Sequence, residues 1–285
     1  MCCYEREGNC IMINEKKPLV QVDDLKKYYN EKPGFYTGRD QKTLAVDGVS
    51  FSVYEGETLG LVGESGCGKT TIGKLLVGLE KPTSGKIFLD GQEMTGDGYK
   101  GWKKVRTQYQ MVFQDTYSSL NPRKHIYEIL SQPMLYHKIS TKETVKEDME
   151  RILDMVGLPK TVLGRYPHEF SGGQRQRIGI AKALSLNPRF LVCDEPVSAL
   201  DVSIQAQILN LLKDLKKELN LTMVFIGHGL GAVNYVSDRI AVMYQGKIVE
   251  IGDARQILQN PKHLYTKTLI QAAPEPRIKI KEKDY

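Results

Sequence analysis

Apolar positions along the chain recur with two different periods. The first patterned stretch, Leu19-Val20-Gln21-Val22, predicts the start of a strand, and residues 44–54 alternate Val46, Val49, Phe51 and Val53 with polar neighbours, as a half-buried strand does. Between them, residues 30–42 are rich in Gly, Pro and charge and read as a loop. Thr58–Val62 is a short, nearly all-apolar run, the mark of a parallel strand covered on both faces. A glycine-rich turn follows, and residues 70–79 then place Ile72, Leu75, Leu76 and Leu79 at helical spacing. Residues 116–180 read as a mainly helical insertion, with Val145, Met149, Ile152, Leu153 and Val156 on one face of a charge-rich segment. Buried-strand character returns at 190–193 and at Thr222–Ile226, separated by an amphipathic helix over 204–219. Strands alternating with helices predict an α/β layered domain, and the sequence has no internal repeat.

The turn after Thr58–Val62 reads Gly63-Glu64-Ser65-Gly66-Cys67-Gly68-Lys69-Thr70. It fits G-x-x-x-x-G-K-[ST] and stands where that motif must stand, between a buried strand and a helix. Its glycines let backbone N–H groups curl around phosphate oxygens, and the helix start adds a favourable dipole. Lys69 is the candidate to reach the β- and γ-phosphates of ATP and Thr70 to ligate Mg²⁺, with Thr71 next in the same turn. Phe190-Leu191-Val192-Cys193-Asp194-Glu195 supplies the second half: a buried strand ending in two carboxylates, at the end where open α/β sheets bind ligands. Asp194 is the candidate to hold Mg²⁺ through water, and Glu195 the candidate general base toward the attacking water. Alone, such a pair would more simply cap a helix; beside a phosphate-binding loop the chemical reading prevails.

Composition narrows the classes. The 285 residues carry 40 Lys+Arg against 34 Asp+Glu, a net charge of +6, with 41% hydrophobic residues. That is enough chain to bury a core in one or two domains. The charges alternate in sign, so a nucleic-acid partner is not expected. The five cysteines, Cys2, Cys3, Cys10, Cys67 and Cys193, form no disulfide framework and fit a reducing cytoplasm. No segment approaches the ~18 apolar residues of a membrane span, and the first ten residues carry charge where a signal peptide needs an apolar run. Residues 1–17 read as a disordered tail, with Met12 as an alternative start, and 273–285 as a solvated tail. Residues 18–272 are left as the domain.

Phe170-Ser171-Gly172-Gly173-Gln174 opens a second helix with a Ser-Gly-Gly turn, an anion site in which Ser171 also serves as N-cap. With this motif the sequence resembles the ATPase subunits of ABC transporters, whose LSGGQ signature stands here as FSGGQ, and the resemblance covers about residues 19–274. It implies a P-loop NTPase (RecA-like) core with an N-terminal antiparallel β subdomain and a helical insertion. It also implies a head-to-tail dimer, in which Ser171, Gly172, Gly173 and Gln174 face ATP on the other subunit's phosphate-binding loop. By the same resemblance Gln114 is the Q-loop glutamine that senses Mg²⁺ and couples to a membrane partner, and Asp201 belongs to the D-loop at the dimer seam. His228 is the switch histidine near the γ-phosphate, and Tyr29, with Tyr28 beside it, stacks on adenine.

Longer matches narrow the resemblance. Phe113-Gln114-Asp115-Thr116-Tyr117-Ser118-Ser119-Leu120-Asn121-Pro122-Arg123 resembles the extended Q-loop of the oligopeptide/dipeptide/nickel importer ATPases. Arg165-Tyr166-Pro167-His168-Glu169-Phe170 and His263-Leu264-Tyr265-Thr266-Lys267-Thr268-Leu269 point the same way. What this implies is ATP-powered peptide import from the cytoplasmic face of the membrane, with two transmembrane permeases and, indirectly, an extracellular substrate-binding protein. Such importers commonly pair two different ATPase subunits, one carrying a cysteine-rich C-terminal extension for an iron–sulfur cluster. With no cysteine after Cys193, this chain resembles the other type. A nickel importer and a soluble accessory ATPase of a carbon–phosphorus lyase stay open as alternatives at this level. One departure stands out: Gly227-His228-Gly229 replaces the usual Ser-His-Asp, which predicts a less rigidly held switch histidine.

Overall fold

A computed structural model of the chain describes residues 17–30, 42–96, 100–115 and 119–272. Residues 31–41 of the loop expected at 30–42, the tails at 1–16 and 273–285, and Cys2, Cys3 and Cys10 lie outside these residues, while Asn30 and Lys42, the expected loop's ends, belong to strands. Lys17, at the end of the expected N-terminal tail, is described and pairs its Nζ with Asp90 at 3.3 Å.

Two sheets organise the described residues. β1 (Pro18–Asn30), β2 (Lys42–Tyr54), β4 (Ser84–Leu89) and β5 (Gln92–Glu93) form an antiparallel sheet in the order β2-β1-β4-β5. β3 (Thr58–Val62), β6 (Tyr109–Val112), β7 (Phe190–Asp194), β8 (Thr222–Ile226), β9 (Arg239–Tyr244) and β10 (Lys247–Asp253) form the second, in the order β10-β9-β3-β8-β7-β6. Its strands run parallel from β6 to β9, and β10 returns antiparallel.

The two-residue period explains why these parallel strands read as unbroken apolar runs. Leu59, Leu61, Val192, Val224 and Ile226 face a core shared with the antiparallel sheet, while Leu191, Cys193, Met223 and Phe225 face a second core shared with helices. That second core also takes the buried faces of α3 (Ile126–Tyr136), α4 (Val145–Met155), α5 (Gly172–Leu184) and α6 (Val202–Leu219). Short 3₁₀ turns at Lys160–Gly164 and Pro167–Glu169 connect α4 to α5. α5 runs past residue 180, where the sequence placed the end of the insertion.

α1 (Lys69–Leu76) begins at the glycine-rich turn and ends earlier than its spacing predicts. Gly78 takes φ +68°, and the N–H of Leu79 bonds back to Lys74 O at 2.9 Å, closing the helix with a left-handed cap. Trp102, on α2 (Lys100–Val105), lies against that cap: a Cβ on Gly78 would sit 2.4 Å from its ring. Leu79, predicted on the buried face, is 55% exposed. The chain continues beyond α6 through α7 (Leu230–Val236), α8 (Ala254–Gln259) and α9 (Leu264–Ala272).

Candidate functional site

The loop between β3 and α1 passes so close to its neighbours that glycine is required at both ends. A Cβ on Gly63 would lie 2.2 Å from Met243 O, and one on Gly68 2.0 Å from Ala45 O; both residues have positive φ. Lys69, 4% exposed, folds back over the loop and donates from Nζ to Gly63 O and Glu64 O, each at 2.7 Å. Gly66 faces open space, Glu64 and Ser65 are exposed, and Cys67 is buried. Burial pushes the Cys67 thiol up, with the Lys69 charge opposing it.

Three adjacent parallel strands deliver the remaining groups. Gln114 follows β6, Glu195 follows β7 and His228 follows β8. The Glu195 carboxylate accepts Gln114 Nε2 at 2.7 Å and pairs on its other oxygen with His228 Nε2. Its backbone holds φ +46°, an uncommon conformation for a side-chain-bearing residue, and its N–H bonds to Ile226 O of β8 at 3.0 Å. Ser198 Oγ donates to Glu195 O at 3.1 Å. Asp194, 3% exposed, accepts Thr70 Oγ1 at 3.0 Å. Burial pushes the Asp194 carboxyl up; the Thr70 bond works against that, and the nearby Glu195 charge adds to it.

These groups surround one cavity of about 300 Å³, lined by Ala45, Ser65, Gly66, Gly68, Lys69, Thr70, Thr71, Gln114, Glu195 and His228. Thr70 and Asp194 offer two neighbouring oxygen donors, a set that suits Mg²⁺, a cation commonly held by one or two protein oxygens plus substrate phosphates.

Other residues singled out by sequence stand elsewhere. Tyr29 is half-exposed on β1, paired with Thr43 and lying under Lys27 Nζ at 4.9 Å, and is not in the cavity wall. Ser171 caps α5: it accepts the Gln174 N–H at 3.3 Å while Gln174 Oε1 accepts the Ser171 N–H at 3.1 Å. Gly172 and Gly173 open the same helix, and Asp201 is the exposed N-cap of α6; none of these lines the cavity. Two contacts escaped sequence reading, although Tyr265 stands in the 263–269 match. Ala45 lines the cavity from β2, and Tyr265 of α9 accepts the Glu64 N–H on its hydroxyl at 3.1 Å. An alanine in a strand carries no chemical signal, and a contact across so much sequence has no local one.

A mainly parallel sheet with a glycine-rich loop between strand and helix, and an Asp-Glu pair ending a neighbouring strand, is the P-loop NTPase fold. A family model described as "ABC transporter" matches residues 46–198, and one described as "Oligopeptide/dipeptide transporter, C-terminal region" matches 249–285. The oligopeptide transport ATP-binding protein OppF of Lactococcus lactis subsp. lactis is 49% identical over 256 residues, covering 90% of this chain and 80% of the relative. The dipeptide transport ATP-binding protein DppF of Haemophilus influenzae is 48% identical over 265 residues, covering 92% and 80%. Among solved structures, the dimeric ABC transporter cassette MJ0796, described as bacterial, superposes with a TM-score of 0.72 at 26% identity, over 83% of this chain and 99% of that one. The chain belongs to the ABC transporter family, among the ATP-binding subunits of the oligopeptide/dipeptide transporters. Among the described residues no helix is long and apolar enough to cross a membrane.

Proposed function

We propose that this chain binds and hydrolyses ATP with Mg²⁺ to power peptide import, working at the cytoplasmic face of the membrane. The observation that carries this is the convergence of Gln114, Glu195, His228 and Thr70, itself bonded to Asp194, on one cavity that the glycine-rich loop also lines. The names of its relatives supply peptide as the cargo.

The ATP phosphates rest on the loop N–H groups and the start of α1. Lys69 exchanges its bonds to Gly63 O and Glu64 O for charge-assisted bonds to phosphate oxygens. Thr70 and Asp194 would hold Mg²⁺, which would neutralise phosphate charge there. Glu195, steadied between the Gln114 amide and the His228 imidazole, takes the proton of the attacking water at its carboxylate. Tyr29 stacks on adenine if the nucleotide extends along β2 beyond Ala45.

The exposed Ser171–Gln174 turn and Asp201 stand outside the chain's own cavity, which suits a role toward a nucleotide on a second subunit. We assign that subunit to a different ATPase of the iron–sulfur type, with two transmembrane permeases and an extracellular binding protein delivering peptide. A permease element fits the larger cavity of about 890 Å³ beside the Q-loop, lined by Leu120, Asn121, Ile129, Tyr136 and Lys182 among others.

The test is reconstitution in proteoliposomes with the subunits that co-purify from native membranes. ATP-dependent peptide accumulation is expected, and Glu195→Gln should lower hydrolysis about 10²- to 10⁴-fold while retaining ATP. Wild-type turnover in that variant removes the base assignment; co-purification with a soluble enzyme core and no permease removes the transport reading.

A further inference from the structure

The stretch 263–269 takes no part in the chemistry above, yet it touches the phosphate-binding loop. Tyr265 accepts the Glu64 N–H on its hydroxyl at 3.1 Å, and its ring rests on Tyr244 with centroids 4.2 Å apart. Tyr244 ends β9, and the turn after it sends the Gly246 N–H to Cys67 O at 3.2 Å. The approach to α9 is itself fixed, because the two Glu250 oxygens accept the N–H groups of Lys262 and His263 at 2.9 and 3.0 Å.

Glu64 is thus held from two sides. Lys69 holds its carbonyl from inside the loop, and Tyr265 holds its N–H from outside. A lysine that turns toward phosphate gives up the inner hold, while the outer one stays. We propose that Tyr265 is a positioning residue that keeps the phosphate-binding loop in its nucleotide-receiving shape, so that the C-terminal helix sets the affinity for ATP. This rests on the nucleotide reading of the cavity given above. A loop already ordered loses less conformational freedom when its ligand arrives.

Tyr265→Phe keeps the ring and its contact with Tyr244 and removes one oxygen. ATP binding to the full chain, measured in EDTA to prevent turnover, should weaken about three- to tenfold, the value of one lost hydrogen bond. Its Tm should stay within about 2 °C of wild type. Hydrogen exchange should quicken at the Glu64 amide and remain unchanged in α3 and α4. In the assembled transporter KM for ATP should rise with kcat held. Glu250→Ala frees the approach to α9 without touching the cavity, and should raise Kd in the same direction. Lys69→Ala tests the underlying site and should lose binding. Should Lys69→Ala bind as wild type does, the nucleotide reading fails. Should it lose binding while Tyr265→Phe stays within twofold of wild type, the positioning role alone is overturned. General loosening, with a lower Tm and faster exchange in α3 and α4, overturns that role as well.

Discussion

Asp194 shows at the scale of one residue what burying a carboxyl does to the fold that carries it. Its carboxyl is almost fully buried, and its pKa is raised mainly by that burial. A raised pKa in the folded state means that the folded protein holds this proton more tightly than the unfolded chain does. The group therefore favours folding at acid pH and costs stability as pH climbs from the ordinary aspartate range through the folded value. Asp194→Asn keeps an oxygen for Thr70 and removes the charge. We expect its Tm without nucleotide to equal or exceed wild type at neutral pH, with the difference growing as pH rises from the ordinary aspartate range. Mg²⁺-dependent hydrolysis should fall about hundredfold or more, as for other lost transition-state charge contacts. Thermal melts across that pH range check the first part; a Tm below wild type at every pH would refute it. The two described cysteines are both buried; burial pushes Cys193 up to about 12 and raises Cys67 as well, which disfavours their thiolates.

At the scale of the element, α7 is the weakly specified one. It starts at Gly229 with no side-chain cap and no acidic residue in its first turn. Gly229 has an ordinary negative φ, and a Cβ there meets nothing within 4 Å. An aspartate therefore fits without strain and can cap the exposed N–H groups. Gly229→Asp should raise Tm by about 1 °C, the consequence of a few tenths of a kcal/mol at an N-cap. It should also alter the ATPase rate of the assembled complex by holding His228, one residue earlier, more firmly. An unchanged rate would remove the idea that the histidine is loosely held. α1 teaches the reverse lesson. Its apolar spacing runs on to Leu79, but Gly78 and the Trp102 ring close the helix after Leu76. Spacing alone cannot register a side chain arriving from another helix.

At the scale of the molecule, two glycine-containing turns that each open a helix exist in one chain, and the fold keeps them apart. The glycine-rich loop lines the cavity, while Ser171 caps an exposed helix start outside it. A site built from both needs a second subunit. Ser171→Arg should therefore leave ATP affinity of the isolated chain unchanged. In the assembled complex it should lower hydrolysis about tenfold or more, the loss expected of a hydrogen bond to a charged group. Binding measured on the chain alone and turnover measured on the complex separate the two effects; weakened binding by the lone chain would contradict the split.

Much of this protein was determined by local sequence. Thr58–Val62 and Thr222–Ile226 are legible because a strand covered on both faces is apolar at nearly every position. The loop from Gly63 to Thr70 is legible because phosphate binding needs backbone N–H groups, glycine and lysine in fixed order. Other elements went unread: β6 has four residues, and α8 has six, too few to display a period. Tertiary structure alone decided which side chains meet. It placed Gln114, Glu195 and His228 together by setting β6, β7 and β8 side by side, left Tyr29 outside the cavity, and brought Tyr265 back to Glu64. The physical reason is that the groups of a site are chosen by chemistry, which residue types reveal. Their distances are set by strand order and helix packing, which arise from the burial of the whole chain at once.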